Sequence, residues 1–150
     1  MKLHLLEAAF VETFVVPSKQ HRWLSLLGSS KRRRDITSVL CHSLNDHVDR
    51  AKVLRIPKHV ETDEFLVALL AKGANSQDCR VISDGPLDQR DLTIREAIEA
   101  QSGESSGTLV CVSPGSVCLW MPEPIADSLL LVDSDKTRTM LSGIVRRGRV

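Results

Sequence analysis

Apolar positions fall into two recurring patterns along the chain, one of period three to four and one of short unbroken runs. "SKQHRWLSLLG" places Trp23, Leu24 and Leu27 on one side of a short helix that Pro17 and Ser18 start. Gly28 ends it as the left-handed residue past its last turn. Ile36, Val39, Leu40, Ser43 and Leu44 share a face of a second helix over 31–44, with Ser30 as its cap. "TDEFLVALLAKG" has the clearest boundaries: Thr62 caps it, Asp63 and Glu64 sit at the positive end of its dipole, and Lys72 and Gly73 mark its close. Its apolar residues cover more than one face, which predicts deep packing. Thr93 and Glu96 form a capping box ahead of the stripe Ile94, Ala97 and Ile98.

The short runs read as strands. "AFVETFVV" (residues 9–16) is β-branched and aromatic up to Pro17, and "KVLRI" (52–56) stops at Pro57. "CRVIS" (79–83) and "SLLLVD" (128–133) follow the same rule, with "DGPLDQRD" between elements as a loop. Residues 108–113 and 117–121 flank Pro114-Gly115 and predict a C-terminal β-hairpin, apolar on both faces as in a strand pair covered twice. A turn centred there sets residues whose numbers sum to 229 opposite each other, so Cys111 faces Cys118 across the strands. The order of elements predicts an α/β domain over 1–135, a mixed and mostly parallel sheet with helices packed on it. The remainder, 136–150, is polar, basic and weakly periodic, and reads as a mobile tail.

Composition narrows the functional classes. Aromatic residues make up 3% of the 150 positions and tyrosine is absent, so the core is aliphatic and there are few rings on which single-stranded nucleic acid could stack. "MKLHLLEAAF" is interrupted by His4 and Glu7 and is no secretory signal, and no window approaches a membrane span. The four cysteines form no C-x-x-C motif, which predicts reduced thiols and a cytoplasmic, soluble protein without a membrane partner or cofactor. The net charge of +1 hides a segregation: residues 1–60 carry +6, 61–135 carry −10 and 136–150 carry +5. Such blocks suit two faces of opposite sign better than a uniformly basic nucleic-acid binder.

Candidate chemistry centres on "SSKRRRD". Lys31, Arg32, Arg33 and Arg34 would occupy a first helical turn, where cations oppose the dipole by roughly 0.3–1 kcal/mol each. Together with Ser30 and the free N–H groups of a helix start they form a candidate surface for an acidic macromolecular partner. The competing reading is a solvated run that pairs with the protein's own acidic half, because side chains fan by about 100° per residue and cannot all face one ligand. Asp84, Asp88 and Asp91 follow a predicted strand, where ligands of open α/β sheets gather, and would serve a metal-assisted hydrolase or transferase. Their spacing matches no calcium loop. Cys41, His42 and His47 are close in sequence but not at the spacing of a closed zinc site. No G-x-S-x-G or P-loop motif is present. The expected function is therefore a small binding or regulatory protein rather than an enzyme.

Overall fold

The computed structural model describes residues 3–74, 76–101, 107–112, 117–122 and 126–150, the side chains of residues 41 and 42 excepted. Among the described residues six α-helices and six strands form an α/β single domain: α1 (Leu5–Phe14), α2 (Pro17–Leu27), α3 (Arg34–His42), β1 (Val53–Ile56), α4 (Asp63–Ala74), β2 (Asp78–Ser83), β3 (Asp91–Thr93), α5 (Ile94–Gln101), β4 (Thr108–Val112), β5 (Val117–Met121), β6 (Ser128–Val132) and α6 (Asp135–Arg147). The strands make one sheet of order β1-β6-β5-β4-β2-β3. Every neighbouring pair is antiparallel.

This overturns the mostly parallel sheet. The cause is β3, which begins on the last residue of the stretch read as a loop and takes in the two residues after it. It reverses the chain beside β2, with Asp78 opposite Thr93, so α5 starts from the far end and returns the chain antiparallel as β4. The crossover through α4 does join two strands of the same direction, β1 and β2, but three strands lie between them. The hairpin holds: β4 and β5 pair in the expected register, Cys111 opposite Cys118. Its connecting residues, Pro114-Gly115 included, lie outside the described residues.

The sheet is covered on both faces, which is why β4 and β5 are buried at every position. On one face α1, α2 and α3 bury Phe10, Phe14, Trp23, Leu27 and Leu40 against Ile82, Leu109, Cys111, Cys118 and Leu131. On the other, α4, α5 and α6 bury Phe65, Leu70, Ile98 and Leu141 against Val81, Val110, Val117, Leu119 and Leu130. The Trp120 indole N–H donates to the Leu40 carbonyl at 2.6 Å, fixing the end of α3 to the sheet.

Three further expectations change. Of residues 9–16, read as a strand, 9–14 lie in α1, whose buried side chains Glu7, Phe10, Val11 and Phe14 follow a helical period, and only Val15 and Val16 are extended. The β-branched content is overridden by packing against the sheet. Residues 136–150, read as a mobile tail, instead supply α6, with Ser134 as cap and Leu141, Ile144 and Val145 in the core. Gly28 closes α2 in a right-handed conformation (φ −78°), not a left-handed one. The caps read at Thr62 and at Thr93 with Glu96 form as expected: Phe65 N–H donates to Thr62 Oγ1, and Thr93 and Glu96 exchange backbone-to-side-chain bonds. No helix among the described residues is long and apolar enough to cross a membrane.

Candidate functional site: the basic turn and its buried anchor

The run 31–34 lies in a turn that enters α3. The cap-like hydroxyl belongs to Ser29, one residue earlier than expected: Ser29 Oγ accepts from Arg32 N–H at 3.2 Å and its carbonyl from Arg33 N–H at 2.9 Å. Ser30 is exposed and makes no cap. The four cations then separate. Lys31 points to solvent, while Arg32 and Arg34 have side chains 61% and 87% exposed. Arg33, at 5%, turns inward.

Inside, Arg33 meets two carboxylates. Its Nη1 donates to Glu7 Oε1 at 2.6 Å and to the Leu27 carbonyl at 3.1 Å. Its Nε and Nη2 grip Asp88 at 2.7 and 2.9 Å, the paired geometry that suits a guanidinium to a carboxylate. Burial works against the charge of Arg33, but the hydrogen bonds to Asp88 and Glu7 outweigh it and the pKa is raised. The second oxygen of Glu7 accepts from Arg80 Nε at 2.8 Å, and Arg80 Nη1 continues to Asp91 at 3.2 Å. His4 Nε2 lies 3.4 Å from the other Asp91 oxygen. Alternating charges thus run Asp88–Arg33–Glu7–Arg80–Asp91, joining α1, the turn before α3, β2, the loop after it and β3.

The three aspartates of the hydrolase reading are brought to one side of the molecule but not to one point. Asp84 accepts from the buried Thr37 hydroxyl at 3.0 Å and has Arg34 at 3.7 Å. Asp88 holds Arg33 and also accepts from Ser83 N–H at 3.0 Å. Asp91 belongs to Arg80. Each carboxylate therefore faces its own cation or hydroxyl. Among the described residues no three His, Cys, Asp or Glu side chains gather where they could hold a metal ion. The side chains of Cys41 and His42 lie outside the described residues, and His47 faces Lys19 and Trp23.

Glu7 and Arg80 are the participants that pattern reading passes over. The signal for Glu7 is present: an acid standing at the first position of the buried set 7, 10, 11, 14 needs a buried cation. The chain matches no protein-family model, no curated protein and no solved structure.

Proposed function

We propose that this chain is a non-enzymatic binding protein that engages an acidic macromolecular partner through the turn leading into α3. The observation that carries the reading is the separation of one cation from three. Arg33 is spent on Glu7 and Asp88 and pins the turn to the sheet side of the molecule, so Lys31, Arg32 and Arg34 project from a fixed base. A fixed base lowers the ordering cost of binding, since only three side chains remain to be immobilised. Among the described residues, Arg32 pairs with the exposed Asp35 at 3.3 Å and Arg34 with Asp84 at 3.7 Å, both from side chains that are themselves mostly in solvent. Such contacts are weak in water and readily exchanged for a partner's carboxylates or phosphates. Ser30 lies exposed beside them and adds a hydroxyl.

The test is capture from the native host's lysate at low and moderate salt, with wild type and an Arg32→Glu, Arg34→Glu variant. The expected result is a salt-sensitive partner held by wild type and lost by the variant, with unchanged melting curves. A partner retained equally by both proteins overturns the reading.

A further inference from the structure

The opposite helical layer leaves a second surface, unrelated to the basic turn. The strand β1 stands at the edge of the sheet, paired with β6 and with no second strand among those described. Half of an edge strand's backbone N–H and C=O groups point away from its neighbour and remain open to another chain. Beside this edge runs α6. At its start the Arg138 guanidinium donates to the carbonyl of Ala51, just before β1. At its close a Cβ built on Gly148 would lie 3.2 Å from Val60, just after β1. The helix therefore accompanies β1 along its whole length.

Between them lies a groove of about 380 Å³ lined by Leu54, Arg138, Thr139, Ser142 and Arg146. Its chemistry is two cations, two hydroxyls and one apolar patch contributed by the edge strand. Arg138 is braced by Asp135 at 2.6 Å. No carboxylate among the described residues pairs with Arg146 or with the adjacent Arg147. Yet both guanidinium groups lie back over Gly143, within 4.0 and 3.3 Å of the point where its Cβ would stand. Cations in a last helical turn do complement the dipole. The dipole does not account for Arg138, eight residues earlier, lining the same groove.

We infer that the groove between β1 and α6 takes an extended acidic peptide segment of a partner protein, added as a further strand on the free edge of β1. A strand there presents alternate side chains to the α6 layer. Arg138 and Arg146 are separated by about 12 Å along the helix axis. Four residues of extended chain span about 13 Å. Acids at positions one and five of the segment therefore face the two arginines, and an apolar residue at position three faces Leu54. Charge complementarity selects the peptide, and the open edge supplies sequence-independent hydrogen bonds.

The experiment titrates the full-length protein into a capped, dye-labelled heptapeptide with glutamate at positions two and six and valine or threonine elsewhere, read by fluorescence anisotropy. Saturable binding is expected, weakened at least tenfold by Arg146→Glu and by a peptide with lysines in place of the glutamates. Amide hydrogen exchange across Val53–Ile56 should slow when the peptide is bound. The Arg32→Glu, Arg34→Glu variant should bind the peptide as wild type does. Absent binding, binding indifferent to Arg146→Glu, unchanged exchange in β1, or equal loss in the double variant would each overturn the inference.

Discussion

Glu7 on α1 and Arg33 at the entrance of α3 meet at 2.6 Å with side chains 1% and 5% exposed, and the contact closes the first helical layer over the sheet. Two buried charges are costly to desolvate, so the pair is worth little more than an apolar pair of similar shape. Breaking it is another matter: without Arg33 the buried Glu7 keeps Arg80 but loses one of its two cations, and Asp88 loses its guanidinium. Arg33→Met should lower stability by about 3–5 kcal/mol. Glu7→Gln should cost less, since the amide oxygen still accepts from one guanidinium. Urea unfolding checks both. A loss for Arg33→Met below about 1 kcal/mol would put the pair in the class of exposed salt bridges.

Gly73 lies inside α4, close against α6 and β5. A Cβ there would come within 2.8 Å of Leu141 on α6 and 3.2 Å of Val117 on β5. Alanine is the better helix former by about 1 kcal/mol. Overpacking of a filled core, roughly 1–3 kcal/mol, is the larger effect. Gly73→Ala should therefore lower the melting temperature, and its cost should shrink in a Leu141→Ala background. Equal costs in both backgrounds would mean that Leu141 is not the obstacle.

The His47 ring accepts from Lys19 Nζ through Nδ1 at 3.0 Å and packs on Trp23 with ring centres 5.7 Å apart. Burial, and then the Lys19 charge, lower its pKa below the ordinary 6.5, while Asp46 offsets part of the shift. The unfolded chain thus takes up this proton more readily than the folded one. The stabilising contribution is full above the unfolded pKa and is lost as the pH falls through the folded one. Between pH 7.5 and 5 the melting temperature of wild type should drop further than that of His47→Gln. Parallel drops in the two proteins would remove His47 from the account.

Cys79, Cys111 and Cys118 are free thiols at 2% exposure or less. Burial pushes Cys79 up to about 12 and raises Cys111 well above the ordinary thiol range, its neighbour Cys118 adding to the effect. A reagent must reach a thiol to modify it, so these three buried groups should be inert in the native protein. In a Cys41→Ser variant, an aromatic disulfide reagent should modify the three thiols only as fast as the chain unfolds, and all three promptly in urea. Rapid labelling without denaturant would contradict the burial.

Sequence reading succeeds here where a single local rule decides. Thr62, and Thr93 with Glu96, satisfy helix starts through bonds no more than three residues apart, and the Cys111–Cys118 register follows from the few residues that separate the two strands in sequence. It fails where distant elements decide. Residues 9–14 have strand-like side chains, but Phe10, Val11 and Phe14 can all reach the sheet only from a helix. Strand direction hinged on three residues, Asp91 to Thr93, too few to give a periodic signal. At the candidate site the four-cation run is visible and helical spacing sets Arg32 and Arg33 toward the core, but nothing local separates the buried Arg33 from the exposed Arg32. Its partners Glu7 and Asp88 lie 26 and 55 positions away.

The strand order also sets a schedule for synthesis. β1 is among the first strands made, yet the strand it must pair with is the last, and Arg55 and its partner Asp127 are 72 residues apart in the chain. A nascent polypeptide can assemble β2 to β5 from nearby segments while β1 waits, its hydrogen-bonding groups exposed on both sides. Lys52 and Lys58 flank the waiting segment and Arg55 lies within it, and like charges of this kind keep two unfinished chains from pairing with each other.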